Sequence, residues 1–371
     1  MSNLIKEKDQ FSLVDQLAGE SELSRGDLKT LIDTRNDNVA EYLFEKAREV
    51  RHAVYGRDIF IRGLVEFTNY CKNDCYYCGI RKSNLKADRY RLTPEQILDC
   101  CAQGYELGFR TFVLQGGEDP HYTDDLMTLI VTNIKSTFPD CAVTLSLGER
   151  SKESYLRFFK AGADRYLLRH ETRNEIHYAS LHPAAMSLRD RLRCLSDLRD
   201  IGYQVGCGFM VGSPGQTTDC LVDDLMFIKE FGPHMVGIGP FIPHQDTPLS
   251  GQPAGTLELT VFLLGIIRLL EPRVLLPATT ALGTISPTGR ELGVMAGANV
   301  VMPNLSPVGV RKKYLLYDNK ICTGDEAAEC RFCIQRRMAN IGYHIAISRG
   351  DHAALQFQTS RESQVQAALA G

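Results

Sequence analysis

The sequence contains no tryptophan and no long apolar segment. Its longest apolar run, LTVFLLGIIRLL, is interrupted by Arg268 and is shorter than the roughly 20 residues that cross a bilayer. The first residues, MSNLIKEKDQ, mix acidic, basic and apolar side chains, unlike a secretory signal peptide. These absences predict a cytoplasmic protein that does not insert into membranes.

No sign of charge dominates either, because 42 Lys and Arg residues face 45 Asp and Glu residues, for a net charge of −3 at pH 7. Without a basic excess, neither nucleic acid nor a membrane surface is expected as a partner. The hydrophobic content of 44% is ample for a large core. The 371 residues allow two or three domains, or one α/β barrel.

What the sequence does have is twelve cysteines, which a cytoplasmic protein keeps as reduced thiols. Cys71, Cys75 and Cys78, in FTNYCKNDCYYCGI, are spaced C-x3-C-x2-C, too close for a disulfide framework. Three thiolates on one loop can ligate three irons of a cubic 4Fe-4S cluster and leave the fourth iron open. A zinc site is less favoured, since zinc takes four ligands and no further Cys or His lies nearby. Three unrelated core cysteines are the other alternative.

The chain also has a regular alternation of elements. Residues 1–55 have helical periodicity. After them, amphipathic stretches alternate with eight short apolar runs, at residues 60–69, 110–117, 142–149, 165–172, 203–212, 235–242, 273–280 and 298–304. This pattern predicts an α/β fold with a parallel sheet, and eight strands are the number that closes a TIM-type barrel. We therefore expect a complete (β/α)8 barrel over residues 56–304, with a helical extension at 1–55 and a C-terminal extension over the barrel at 305–371.

Polar residues follow most of the predicted strands, where the loops of such a barrel build an active site. Arg169 and Glu171 stand out, because buried charges need partners, although a structural ion pair is the alternative. The other candidates at strand ends are Gln115, Gly116, Gly117, Glu118, Thr144, Ser146, Met210, Thr279, Thr280 and Asn304. Thr and Asn at such positions suit hydrogen bonding to a substrate better than core packing.

The cysteine motif, with Tyr77 before its last cysteine, resembles the signature of the radical S-adenosylmethionine (SAM) superfamily. The resemblance implies that SAM chelates the open iron and that the reduced cluster cleaves it to a 5′-deoxyadenosyl radical. It also implies that Gln115 to Glu118 bind the methionine amino group and that Arg169 and Glu171 hold the methionine and ribose. Arg191 would then pair with the carboxylate. The adenine would lie along the glycine-rich strand that carries Met210.

The segments GIGPFIPHQDTPL, PATTALGTI, NVVMPNLSP and LLRHET together resemble the HydE family of FeFe-hydrogenase maturases, over residues 60 to 335. The resemblance implies a role in assembling the 2Fe subcluster of the hydrogenase cofactor. The substrate would be a small iron–cysteine species bearing CO and cyanide, attacked at sulfur. Thr279, Thr280, Asn304, Tyr314 and Tyr317 would contact it. Implied partners are a radical SAM tyrosine lyase, a GTPase scaffold and an electron donor such as flavodoxin or ferredoxin.

A second cysteine group, Cys322, Cys330 and Cys333, has the spacing C-x7-C-x2-C. In the resembled family it implies an auxiliary 2Fe-2S or 4Fe-4S cluster that catalysis does not require. Three metal-free cysteines at a helix start are the alternative.

Other functions stay open at this stage. A methylornithine synthase-like mutase, which acts on an amino-acid substrate, shares the barrel and much of the motif set but usually lacks the C-terminal cysteines. Biotin synthase fits less well, since only Cys207 is placed for its second cluster. A non-catalytic iron–sulfur carrier or scaffold has no need of the GGE triplet or the Arg169–Glu171 pair.

Overall fold

The computed structural model describes residues 2–19, 23–324 and 327–355, apart from the side chains of 2–9 and 327–329. The helices are α1 (Ser2–Ala18), α2 (Arg25–Asp33), α3 (Asp37–Tyr55), α4 (Pro94–Glu106), α5 (Asp124–Thr137), α6 (Lys152–Lys160), α7 (Glu175–Leu181), α8 (Leu188–Ile201), α9 (Thr218–Phe231), α10 (Leu257–Leu270), α11 (Thr280–Ile285), α12 (Gly289–Met295), α13 (Val308–Arg311) and α14 (Ala327–Asn340). The strands are β1 (Asp58–Ile61), β2 (Gly63–Thr68), β3 (Thr111–Gly116), β4 (Ala142–Ser146), β5 (Arg165–Leu167), β6 (Gln204–Cys207), β7 (Met210–Val211), β8 (Met235–Val236), β9 (Gly239–Pro240), β10 (Val300–Val301) and β11 (His344–Ala346).

Local sequence signals set the helix ends. At α4, Thr93 and Gln96 form a reciprocal capping box and Pro94 occupies the first turn, as the sequence predicts. Helices α8 and α9 end at Gly202 and Gly232, both in the left-handed conformation that glycine adopts without strain. Each helix therefore stops where its return strand must begin.

The central element is a six-stranded parallel sheet in the order β2-β3-β4-β5-β6-β8. All six residues of β2 are buried, as expected for a parallel strand covered on both faces. Two smaller parallel sheets accompany it, with the orders β10-β1-β11 and β7-β9. Together they establish an α/β fold built on parallel strands, as the alternation of elements predicts.

The prediction of a complete eight-stranded barrel is not confirmed, because the six-stranded sheet is not closed. Residues 273–280 form no named strand, and only isolated parallel bridges cross the gap, at Met235–Leu275, Pro277–Val300 and Leu64–Asn304. Pro277 has no N–H to donate, so a regular ladder cannot run through it.

Residues 2–19 and 23–55 contain α1, α2 and α3, in agreement with the helical periodicity of this part of the sequence. Helix α3 buries Val39, Leu43 and Ala47, and it packs on α10, which is apolar around most of its surface. No described helix is both long enough and apolar enough to cross a membrane.

The C-terminal extension contacts both ends of the sheet. Residues 313–320, the roof segment, lie against the cysteine loop, where the Gly79 amide donates to the Leu316 carbonyl over 2.9 Å. Further on, β11 pairs in parallel with β1 at the opposite end, which the sequence did not predict. There Asp351 also reaches Arg165, the first residue of β5. Residues 356–371 of the predicted extension lie outside the described part of the chain.

Candidate active site

A cavity of about 330 Å³ opens at the carboxyl ends of the parallel strands. Most of the residues singled out from the sequence line it, namely Cys71, Cys75, Tyr77, Cys78, Gln115, Gly116, Gly117, Glu118, Ser146, Arg169, Glu171, Arg191, Met210, Thr279, Thr280, Tyr314 and Tyr317. Thr144 and Asn304 are buried in the strand layer and do not line it. Residues from distant parts of the chain therefore meet in one space.

The loop after β2 carries the three clustered cysteines. Asp74 clamps this loop, since its carboxylate accepts from Arg81 Nε and Nη2 at 2.7 and 2.6 Å and also from Ser83. Hydrogen bonding from Arg81 holds the pKa of Asp74 well below its usual range. The loop is thus rigid enough to present all three sulfurs to the cavity.

The three thiols lie in an environment that disfavours bare thiolates. Burial raises the pKa of Cys78 to about 12 and that of Cys75 well above its ordinary value, and neighbouring thiols add to both shifts. Iron would compensate this charge, because cysteine ligates metals as the thiolate. No three His, Cys, Asp or Glu side chains of the described residues converge as a single metal ion requires. Three soft sulfur donors facing one cavity fit a multi-iron cluster, which takes one thiolate per iron.

The GGE triplet follows β3 beside this loop. A side chain at Gly117 would place its Cβ 2.2 Å from the Tyr70 carbonyl oxygen, so only glycine allows this close approach. The Glu118 side chain braces the site, since it accepts from the Glu149 amide at 3.0 Å and pairs with Lys72 at 3.2 Å. A bound molecule at this position would meet the backbone of the two glycines.

Two arginines and two glutamates form a polar network at the cavity, and Arg169, Glu171 and Arg191 of this network line it. Arg191 Nε lies 2.6 Å from Glu149 Oε1, and its Nη1 donates to the Arg169 carbonyl over 3.0 Å. Arg169 Nη2 and Glu171 Oε2 are 3.0 Å apart as an ion pair. Neither of these two atoms makes a well-aligned hydrogen bond within the described chain. The pair places a cation and an anion side by side at the cavity wall, a charge arrangement complementary to the zwitterionic methionine part of SAM.

Glu149, the last residue of the third apolar run, was not among the site residues predicted from the sequence. It occupies one edge of Arg191, which limits the guanidinium surface left for the predicted bidentate carboxylate contact.

The part of the cavity lined by Thr279, Thr280, Tyr314 and Tyr317 carries neutral polar groups. Thr280 Oγ1 accepts from Arg290 Nη2 over 3.2 Å, whereas Thr279 Oγ1 is buried with no partner in the described residues. Gln115 Nε2 reaches the Tyr314 hydroxyl at 3.4 Å. Tyr317, in the same roof segment, covers this side. These groups offer hydrogen bonds without net charge.

The sequence analysis also missed one buried ion pair in the cavity wall. Lys320 Nζ contacts Glu66 Oε1, and their side chains are 6% and 1% exposed. Asn304 Nδ2 donates to the other Glu66 oxygen over 2.8 Å, and its Oδ1 accepts from the Ser306 amide. Asn304 therefore supports Glu66 instead of facing the cavity. The sequence feature that could have indicated this ion pair is Glu66, the single charged residue of the otherwise neutral strand GLVEFT.

The second cysteine group lies near α11, α12 and α14. The nearby Cys322 side chain and burial both raise the pKa of the Cys330 thiol, and Arg290 Nη2 approaches Cys322 Sγ to 3.6 Å. Cys330 is buried and Cys333 is exposed. The structure brings two of the three sulfurs together, and the auxiliary cluster stays a prediction.

The chain is similar to several proteins of known function or structure. A family model described as the radical SAM superfamily matches residues 65–228. The chain is 46% identical to the FeFe-hydrogenase maturase subunit HydE of Thermotoga maritima, over 86% of this chain and 91% of that protein. It is 29% identical to the 3-methylornithine synthase of Methanosarcina barkeri, over 84% and 89% of the two chains. A crystal structure of methylornithine synthase (PylB) superposes with a TM-score of 0.78 at 27% identity, covering 90% of this chain and 97% of the other.

Proposed function

The chain belongs to the radical SAM superfamily and, within it, to the family of the hydrogenase maturase HydE, and from this we propose that it acts in assembling the 2Fe subcluster of FeFe-hydrogenase. Membership of the superfamily implies a 4Fe-4S cluster and SAM as cofactors. When bound, a reduced cluster supplies the electron that cleaves SAM to methionine and a 5′-deoxyadenosyl radical. The residues of this chain bind, orient and enclose the reacting molecules.

We propose that Cys71, Cys75 and Cys78 hold the cluster and leave its fourth iron open. Arg169 and Glu171 would bind the carboxylate and amino groups of SAM, because they place a cation and an anion side by side at the cavity wall. Gly116 and Gly117, Ser146, Tyr77 and Met210 complete the SAM half of the cavity. Arg191 is better placed to fix the Arg169 backbone than to grip SAM by itself.

The substrate would occupy the other half of the same cavity. Thr279, Thr280, Tyr314 and Tyr317 offer neutral hydrogen bonds, and the Lys320–Glu66 ion pair adds polar groups without net charge. This combination suits a small iron–cysteine species that carries CO, cyanide and a carboxylate. Because the roof segment covers the site, water is kept from both the radical and a labile iron carbonyl.

The observation that carries the proposal is the continuity of the cavity. Three cysteine sulfurs, an Arg–Glu ion pair and a hydrogen-bonding wall share one space of about 330 Å³. A carrier or scaffold protein needs the sulfurs alone. An enzyme that passes a radical from SAM to a substrate needs all three in contact.

Several finer features belong to the same proposal. The isolated bridges at residues 275 and 277 would mark the seventh strand of a barrel over 56–304. Cys322, Cys330 and Cys333 would bind an auxiliary cluster. The partners would be a radical SAM tyrosine lyase, a GTPase scaffold and a small electron-transfer protein, all of them in the cytoplasm.

The test is anaerobic co-expression of an apo FeFe-hydrogenase with its other maturases, with and without this protein. Hydrogen evolution should appear only when the protein is present, and it should be lost in Arg169→Ala. Equal hydrogen evolution with and without the protein would sink the maturase proposal.

A second candidate, a methylornithine synthase-like mutase, is favoured by the superposition at TM-score 0.78. It predicts conversion of lysine to methylornithine by the reduced protein with SAM. Mass spectrometry of the product mixture separates the two reactions.

A further inference from the structure

Glu171 has an unusual backbone conformation at the edge of the cavity. Its φ is +67°, and only Asn319 and Cys322 share a positive φ among the described residues other than glycine. A left-handed conformation is strained for a residue that has a Cβ. Such strain persists only where the surroundings hold it in place. A buried hydrogen-bonded pair, His170 and Asp224, can hold this conformation.

Asp224, the acidic member of this pair, is a fully buried residue of α9. One of its oxygens, Oδ1, binds two groups that flank Glu171 in the chain. It accepts from His170 Nε2 at 3.1 Å and from the Arg173 amide at 2.6 Å. A single carboxyl oxygen thus pins the residue before Glu171 and the second residue after it.

His170 connects Asp224 to the backbone at Gly208, between β6 and β7. Its Nδ1 accepts from the Gly208 amide at 3.3 Å. Because an amide N–H can only donate, Nδ1 carries no proton, and His170 is the neutral tautomer protonated at Nε2. Burial agrees with this assignment, since it lowers the pKa of His170 to about 3. Both nitrogens are therefore committed to holding backbone and carboxyl positions.

The pinned backbone leaves Glu171 little freedom. Its amide donates to the Gly208 carbonyl over 3.0 Å, and its carbonyl accepts from the Met210 amide over 3.2 Å. The left-handed turn between these two bonds directs the carboxylate toward Arg169 and the cavity. Neither His170 nor Asp224 lines the cavity itself.

We infer that His170 and Asp224 are positioning residues for SAM, which act by holding Glu171 in its strained conformation. The inference rests on the proposed function, because it takes Glu171 as a SAM contact. A purely structural pair would have no such link. Well-packed apolar residues can replace a buried polar pair without loss of stability.

The first measurement is SAM affinity by isothermal titration calorimetry on cluster-loaded protein. Asp224→Leu and His170→Phe should each weaken SAM binding about tenfold or more, the loss of one well-placed hydrogen-bonding group. Asp224→Asn keeps an oxygen acceptor at Oδ1 and should stay within about threefold of wild type, by the same measure. The absorption spectrum of the cluster without SAM should not change in any variant.

A matched control is His234→Phe. His234 Nδ1 also accepts a strand amide, that of Val205 at 3.2 Å, but at the opposite end of the sheet. The His234→Phe variant should bind SAM with the same affinity as wild type. Thermal unfolding of all variants shows whether the loss of affinity follows a general loss of stability.

The decisive experiment compares the double variant Asp224→Leu/Glu171→Gly with the single variant Glu171→Gly. Glycine tolerates the left-handed conformation and removes the carboxylate, so Asp224 has nothing left to position. The double variant should bind SAM no more weakly than Glu171→Gly alone. Additive losses would overturn the inference, as would wild-type affinity in Asp224→Leu.

Two further outcomes are separable. If Asp224→Leu and the milder Asp224→Ser both fail to fold, the pair serves the whole fold and the inference is wrong. If wild-type protein with an intact cluster does not bind SAM, the proposed function itself fails.

Discussion

Charged residues are buried in pairs around this cavity, and each pair constrains what a substitution can do. Lys320 and Glu66 are an example, with 6% and 1% of their side chains exposed. Removing one partner leaves the other charge buried without compensation, which typically costs 3–5 kcal/mol. The pair therefore holds the roof segment to β2.

We predict that Lys320→Met lowers the free energy of unfolding by about 3–5 kcal/mol, because the Glu66 carboxylate stays buried without its cation. Adding Glu66→Gln should restore most of this loss. Lys313→Met is the matched control, since Lys313 pairs with the exposed Asp88 and should cost at most about 1 kcal/mol. Urea unfolding measures all four proteins. Equal losses in Lys320→Met and Lys313→Met would contradict the prediction.

At the residue scale, the sequence predicted positions better than contacts. Strand-end placement led to the cavity residues because parallel strands bring their carboxyl ends to one edge. It could not distinguish side chains within a strand, and two of the predicted site residues, Thr144 and Asn304, do not line the cavity. Glu149 and Lys320 were missed, since their partners are 42 and 254 residues away in the chain.

The loops after the strands depend on glycines that let them pack closely. Gly148 has a φ of +71°, and a Cβ there would lie 2.1 Å from Glu118 Oε1. Glu118 in turn accepts from the Glu149 amide. This contact joins the loops after β3 and β4 beside the cysteine loop.

We predict that Gly148→Ala lowers the rate of SAM cleavage by about tenfold or more, because displaced loops cost at least 1.4 kcal/mol of alignment. Gly232→Ala is the control, since its φ is +58° but nothing lies within 4 Å of the added Cβ. That variant should lose some stability and keep its rate. A tenfold loss in both would attribute the effect to backbone strain alone.

At the element scale, periodicity predicted most strands and helices correctly, but the predicted closure into an eight-stranded barrel is not confirmed. The run at 273–280 is apolar, yet Pro277 cannot donate to a ladder and only isolated bridges form there. Strand β11 was missed because three residues, His344 to Ala346, carry no clear alternation and pair with β1 far away in the chain.

Long-range ion pairs tie the end of the described chain to the sheet. Asp351 contacts Arg165 at 2.6 Å and Arg349 at 2.8 Å, and it accepts from Gln204 Nε2 at 2.7 Å. Burial alone would raise the pKa of Asp351, but the two arginines hold it well below its ordinary value. This network fixes the segment after β11 at the amino ends of β5 and β6.

A depressed folded-state pKa stabilises the protein above the unfolded pKa, about 3.9 for Asp, and this stabilisation is lost as pH falls through the folded value. We therefore predict that Asp351→Asn costs about 1–3 kcal/mol at pH 7. The difference from wild type should shrink progressively below about pH 4. Denaturant unfolding across this range measures it. A difference that stays constant with pH would exclude this electrostatic origin.

Asp197→Asn is the control for that series. Asp197 pairs with the half-exposed Lys152 and Arg193 on the surface, so its removal should cost at most about 1 kcal/mol at any pH.

At the scale of the whole molecule, the central claim is that three cysteines on one loop and a SAM pocket share one cavity. The most direct test is the yield of 5′-deoxyadenosine after anaerobic reconstitution with iron and sulfide, reduction with dithionite and addition of SAM. Wild-type protein should produce it, Cys75→Ala should not, and Cys333→Ala in the second cysteine group should behave as wild type. Cluster-loaded wild-type protein that yields no 5′-deoxyadenosine, or a Cys75→Ala variant that yields as much as wild type, would contradict the account.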